Sequence, residues 1–235
     1  MDINCDLGEG LTNDPELMPY LNSCNIACGG HAGDKSTVQM TIKLAKSHGV
    51  KIGAHPSFAD KVNFGRKILN LTSVQLENTL IDQLDLFFES AHHLGTTVHH
   101  IKLHGALYNL AAKDEKTADT FLTLIKERYH STKVYCPPNS VVENLAKTYQ
   151  IPYDREVFAD RTYQDDGSLT DRKLAKALLT DPTEVIDHLK WIVDKKCILT
   201  LSKKQLPVEA ETVCIHGDNP SALPILQAIR NHFFI

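Results

Sequence analysis

Several things are missing from this 235-residue chain, and each absence closes off a class of function. It has no long run of charge of one sign, and its net charge is −4. That excludes the basic face of a nucleic-acid binder and the polybasic patch that meets an anionic membrane. No apolar stretch approaches the roughly 20 residues that a membrane span requires. The opening "MDINCDLGEG" lacks a basic start followed by an apolar segment, so no secretory signal is read. These absences lead to the expectation of a soluble, cytoplasmic protein with neither nucleic acid nor membrane as a partner. The phosphate-binding patterns G-x-x-x-x-G-K-S/T and G-x-G-x-x-G are also lacking, so any nucleotide site is unconventional or is supplied by another chain. Cysteines are few: six, scattered, mostly inside apolar strand-like runs. Cys24-x3-Cys28 has no second pair at the spacing of a zinc site, and the six read as small buried hydrophobes. No Gly/Ser linker, low-complexity tract or shift in composition divides residues 1–235, which read as one domain.

What is present is an alternation of short apolar runs with longer amphipathic ones. Strands are predicted over 2–7, 23–29, 51–56, 97–104, 133–138, 155–160 and 212–218. Helical patterns lie between them. In "DKSTVQMTIKLAKSHG", Val38, Ile42, Leu44 and Ala45 share a face before the terminating Gly49. After Thr72 or Ser73 as N-cap, Leu76, Leu80, Leu84 and Phe87 recur at helical steps. Further helices are predicted near 115–130, 139–149, 170–179, 183–195 and 221–233, while 198–208 reads as a small hairpin or edge excursion. Repeated strand–helix units imply parallel strands. Seven such units build either a doubly wound open sheet or a TIM-like (β/α)7 barrel. An open sheet concentrates polar residues where strand order reverses, whereas a barrel spreads them over all its strand ends. Here they follow nearly every strand: Asp6 and Glu9, His31 and Asp34, His55, Lys102 and His104, Asp160 and Arg161, His216 and Asp218. The spread favours the barrel.

Position sorts the twelve histidines. His48, His92 and His93 stand at helix ends, His130, His188 and His232 read as solvated helical residues, and His99 and His100 lie early in a strand. His31, His55, His104 and His216 each fall where a strand gives way to a loop, beside Gly or Pro, and in a barrel they converge on one cavity. Asp2, Asn4 and Asp6 alternate along the first strand and so share a face. Facing a barrel interior, that polar ladder is costly unless paired or functional. Arg161 beside Asp160 reads as an ion pair or as a planar receptor for an anion. Asp218 either caps the last helix or orients His216.

Taken in order, "DINCDLGE", "NIACGGHAGD", "GAHPSF", "FGRK", "IKLHGALYN", "REVFADRTYQDDGSL" and "CIHGD" resemble the LamB/YcsF family over nearly the whole chain. The resemblance implies a seven-stranded α/β barrel related to the glycoside hydrolase/deacetylase superfamily. It also implies the role of the A subunit of ATP-dependent 5-oxoprolinase, which opens the lactam 5-oxoproline to L-glutamate alongside subunits B and C. Gly30 stands where the family generally has Phe, which removes an aromatic wall beside His31. Leu103 replaces a common Pro, Asn63 and Lys67 replace Gly and Arg around "FGR", and "LTND" replaces a longer glycine-containing loop.

A lactam is an unactivated amide. Its ATP-coupled hydrolysis needs a base for water, cations for phosphate and carboxylate, and an acid for the ring nitrogen. Asp6, His31, His104 and His216 are the catalytic candidates. Lys102 and Arg161 are expected to bind anionic groups, with Asn4, Glu9, Asp34, His55, Asp160 and Asp218 completing the substrate site. The glycines around His31 would permit close backbone approach. A rival reading is a metal-dependent amide hydrolase or deacetylase without ATP, its divalent ion held by Asp6, His31 and His55 or His104. A third makes the chain a non-catalytic binding protein.

Overall fold

Valine-, isoleucine- and cysteine-rich runs bounded by glycine or charge form the strands of a computed structural model that describes residues 1–233. Seven strands close a parallel barrel: β1 (Asp2–Leu7), β2 (Ser23–Ala27), β3 (Lys51–His55), β4 (Val98–Lys102), β5 (Lys133–Cys136), β6 (Tyr153–Phe158) and β9 (Thr212–His216). Their order is β1-β2-β3-β4-β5-β6-β9, and β9 returns to β1 with Asp2 opposite Thr212 and Asp6 opposite His216. All seven are the strands expected from sequence, most of them ending earlier. The 198–208 excursion is an antiparallel hairpin of β7 (Cys197–Leu199) and β8 (Gln205–Pro207), outside the barrel.

Around the barrel lie α1 (Asp14–Leu17), α2 (Lys35–Ser47), α3 (Ser73–His93), α4 (Gly105–Ala111), α5 (Glu115–Arg128), α6 (Val141–Tyr149), α7 (Pro182–Lys195) and α8 (Ala222–Phe233). Thr72 is the N-cap of α3, in a reciprocal capping box with Gln75. Leu76, Leu80, Leu84 and Phe87 form the buried face of that helix. The helix expected over 170–179 does not form. Its carbonyls serve another purpose: Arg161 donates to Thr170 and Ala177, Thr162 donates to Lys176, and Arg161 bridges to Leu178. Lys176 is at φ +65°, outside the helical region. Two short helices, α1 and α4, appear where none was expected.

The alternation of the strands divides the core in two. Outward residues such as Ile3, Cys5, Leu7, Ile26, Ile101, Val157, Val213 and Ile215 are buried against the helices. Inward residues form a polar column. At its base Asp2 accepts from Ser23 (2.6 Å) and Thr212 (2.8 Å). One layer up, Asn4 donates to Glu156 (3.0 Å) and Thr212 (2.7 Å), Asn25 donates to Asn4 (2.7 Å), and His100 bonds Asn25 (2.6 Å) while stacking on Tyr135. The ladder read from Asp2, Asn4 and Asp6 therefore faces inward and is paired throughout. Five of the six thiols are buried and all are free. No helix among the described residues is long and apolar enough to cross a membrane.

Candidate active site

The column ends at the C-terminal mouth of the barrel, beneath a cavity of about 1130 Å³. Asp6 is its centre. Oδ1 accepts from Lys102 Nζ (2.8 Å) and Asn25 (2.8 Å), and Oδ2 lies 3.4 Å from His55 Nε2. Burial alone would raise the Asp6 carboxyl, but His55 and Lys102 outweigh it and hold it well below the usual carboxylate range. Burial likewise works against the Lys102 ammonium, yet Asp6, Cys214 and Glu156 keep its pKa well above that of a free lysine. Lys102 is thus a fixed positive charge spanning Asp6 and Glu156 (3.0 Å).

Three imidazoles pack beside this pair. His31 stacks on His104 with centroids 3.6 Å apart, and Phe64 meets both edge-on. Burial lowers the pKa of His31; burial, with His55 and His31 adjacent, lowers that of His104 further. Glu9 Oε1 sits 3.0 Å from His31 Nε2 and 3.4 Å from His104 Nδ1. His55 donates from Nδ1 to the Lys102 carbonyl (2.8 Å), and His104 donates from Nε2 to the Phe64 carbonyl (3.1 Å). Their remaining nitrogens, His55 Nε2 and His104 Nδ1, face each other at 2.9 Å. Two lone pairs repel at that distance, so the contact requires one hydrogen between the rings or a cation shared by both.

Across the mouth, Asp160 forms a dyad with His216. Its Oδ1 accepts from His216 Nδ1 (2.9 Å), and its Oδ2 accepts from the His216 backbone (3.2 Å) and from Asn219 (2.9 Å). Burial pushes the Asp160 carboxyl up, but His216 and Asn219 prevail and lower it. A carboxylate held ionised on Nδ1–H fixes the tautomer and leaves Nε2 with its lone pair. Farther out, Arg66 and Arg172 both reach Asp218.

The barrel brings Asp6, Glu9, His55, Lys102, His104, Asp160, Arg161, His216 and Asp218 to this mouth, and all but Asp160 line the cavity. The structure places the other expected residues elsewhere. Asp34 is the exposed N-cap of α2, accepting from Thr37 (2.9 Å). Asn4 lies a layer below the cavity, used up by Glu156 and Thr212. His31 is 2% exposed and does not line the cavity, being sealed behind Glu9, His104 and Phe64. Glu9 takes its place among the grouped donors: one ligand atom each from Asp6, Glu9, His55 and His104 lies within 4.8 Å of the others. Arg161 is buried and gives two of its five N–H donors to backbone carbonyls, and Lys102 is paired with two carboxylates. His188 is half-buried and docks on the Phe158 carbonyl (3.2 Å), and burial pushes its pKa down to about 4. Glu156, Arg66 and Arg172 were missed. Glu156 carried a signal as an acid inside an apolar strand at inward register with Phe158, and Arg66 lay within the "FGRK" motif.

The pattern of the LamB/YcsF family matches residues 1–234. The chain belongs to the LamB/YcsF family. A relative from Bacillus cereus (strain 03BB102), named as the A subunit of 5-oxoprolinase, is 38% identical over 242 residues, which cover 99% of this chain and 94% of the relative. One of the same name from Tolumonas auensis is 37% identical over 235 residues, covering 98% and 94%. The crystal structure of a lactam utilization protein from Thermus thermophilus superposes with a TM-score of 0.91 at 30% identity, over 98% of this chain and 96% of that one. Two departures from the LamB/YcsF pattern now have a structural account. A Cβ on Gly30 would lie 2.2 Å from Gln83 Oε1 and 2.6 Å from Ser57 Oγ, so those side chains occupy the room the glycine leaves, and the aromatic wall beside His31 is Phe64. Asn63 binds the Asp60 carboxylate and closes the turn that leads to Phe64. Nothing in the structure explains Lys67.

Proposed function

We propose that this LamB/YcsF member is the A subunit of an ATP-dependent 5-oxoprolinase, opening 5-oxo-L-proline to L-glutamate together with subunits B and C. The end-to-end match to relatives that carry the 5-oxoprolinase name supports the reading most directly. The chemistry of the mouth supports it too. ATP supplies the activation that an amide lacks. For the rest, His216 Nε2 takes the proton of the attacking water, and Asp160 holds the imidazolium that results. The same imidazolium returns a proton to the ring nitrogen as the C–N bond breaks. Asp6 is too weak a base for the first role, because its carboxyl lies well below the usual range. With Lys102 it forms the charged floor that orients the polar edge of the lactam. Glutamate release from 5-oxoproline, with each protein component and ATP omitted in turn, tests the reading. Release that is unchanged without this chain would end it.

The four grouped donors favour a second reading, a metal-dependent amide hydrolase. The donor set fits a divalent cation: two carboxylates, and two imidazoles whose facing nitrogens lack a hydrogen if both rings are neutral. Asp6, Glu9, His55 and His104 would hold the ion, which would supply Lewis-acid activation of an amide carbonyl. Lys102, 2.8 Å from Asp6, opposes its binding. Stoichiometric metal in the purified chain together with ATP-independent turnover would select this reading over the first.

A further inference from the structure

Three loops meet at one oxygen atom. Arg66 follows β3, Arg172 follows β6 and Asp218 follows β9, and Asp218 Oδ2 accepts from Arg66 Nη2 (2.6 Å) and Arg172 Nη1 (2.9 Å). Among the described residues these are the only hydrogen bonds of either guanidinium. Each guanidinium has five N–H donors, so most of the donor capacity at the mouth is unused and one positive charge is left over. All three residues line the cavity above Asp6 and His216.

Both arginines are held in place by their surroundings. Phe64 lies at φ +54°, a left-handed conformation that an aromatic residue adopts only under constraint. Gly65 continues the turn at φ +62°, and its carbonyl accepts from Ala106 (3.0 Å). The turn lays the Arg66 guanidinium over the Phe64 ring, 4.9 Å from its centroid. On the other side, Arg161 fastens both ends of the segment that carries Arg172, through Thr170 and Ala177. Of the cations expected to bind anions, Lys102 is held between two carboxylates and Arg161 is buried with two donors on backbone carbonyls, whereas Arg66 and Arg172 are partly exposed at the cavity.

We propose that Arg66 and Arg172 form a clamp for an oxyanion of the ligand, and that Asp218 occupies the clamp until a carboxylate or phosphoryl group displaces it. Planar guanidiniums suit either group. The identity of the ligand rests on the lactam-hydrolase reading, which offers the carboxylate of 5-oxoproline or a phosphoryl group; the clamp itself does not.

Calorimetric or NMR titration of the full chain with 5-oxo-L-proline, with 2-pyrrolidinone (the same lactam without its carboxylate) and with inorganic phosphate tests the proposal. Arg66→Met and Arg172→Met should each weaken 5-oxoproline about 10- to 100-fold, as loss of charge-assisted hydrogen bonds does, and leave 2-pyrrolidinone unchanged. Asp218→Asn should strengthen oxyanion binding about 2- to 5-fold by releasing a half-exposed ion pair. A residue that merely ties loops together would not do that. Phosphate binding that depends on both arginines, with 5-oxoproline indifferent to them or unbound, keeps the clamp and assigns it to a phosphoryl group; if 5-oxoproline is unbound, the lactam reading falls. The clamp is overturned if both arginine variants bind the two anions like wild type, if Asp218→Asn weakens them, or if wild type binds neither. Thermal midpoints within a few degrees of wild type guard against misfolded variants.

Discussion

Replacing Asp160 by asparagine exchanges one oxygen for an NH2 group and tests the proton-transfer assignment directly. Asp160 faces three donors: Nδ1–H of His216, the His216 backbone N–H and the Asn219 amide. An asparagine accepts through one oxygen only. The backbone N–H and Asn219 both point at the position of Oδ2, so the amide oxygen settles there and its NH2 turns toward His216 Nδ1. Nδ1 must then accept, which moves the ring hydrogen to Nε2 and removes the lone pair that water needs. The same exchange of tautomer in a serine-protease triad lowers kcat about 10⁴-fold, and a loss of about 10³- to 10⁴-fold is expected here with little change in KM. Glutamate release by the reconstituted enzyme measures the loss. Histidine ¹⁵N shifts of the full chain report the tautomer without reference to turnover. Activity within about 3-fold of wild type, or a His216 signal still protonated at Nδ1, would refute the reasoning.

Lys102→Met strands the buried carboxylates of Asp6 and Glu156 and should cost about 3–5 kcal/mol in chemical denaturation, since removing one partner leaves uncompensated buried charge. Gly30→Ala drives a methyl group into Gln83 and Ser57 and should cost about 1–3 kcal/mol; Gln83→Ala in the same chain should cost less than the two changes summed, which a double-mutant cycle reads. His188 is neutral in the fold, with its pKa lowered from 6.5 to about 4. The unfolded chain therefore binds the extra proton between these values, and stability present above pH 6.5 is lost as pH falls toward 4. Wild type should lose about 3 kcal/mol relative to His188→Gln across that window, and parallel stability curves for the two proteins would argue against the neutral ring.

Period-two and period-3.6 patterning is local, and it located every barrel strand and all but two short helices. The spread of polar residues over strand ends distinguished a barrel from an open sheet, because it reports on how many strand ends face one cavity. What was not legible depends on contacts between distant segments. Arg161 claims the carbonyls of Thr170 and Ala177 and so cancels a helix that the sequence of 170–179 would otherwise favour. Arg66 and Asp218 are 152 positions apart and meet only because the barrel is closed. His31 stands at a strand end like His55 and His104, yet packing seals it behind them. Asp34 shows the converse: it reads from sequence as part of the substrate site, and the structure makes it the cap of α2 through the Thr37 amide.

Because β9 inserts between β6 and β1, a ribosome delivers the two strands that flank the seam long before the strand that fills it. Until then β1 keeps an unpaired edge, a liability for any nascent chain, and the carboxylates and amides along its inner face remain wet. The strand that removes the edge carries His216 and is followed at once by Asp218. Ring closure and delivery of the group proposed to move the proton are therefore one event. On the proposed assignment, a chain whose synthesis stalls, or whose last strand peels away, lacks the imidazole that would take the proton of water.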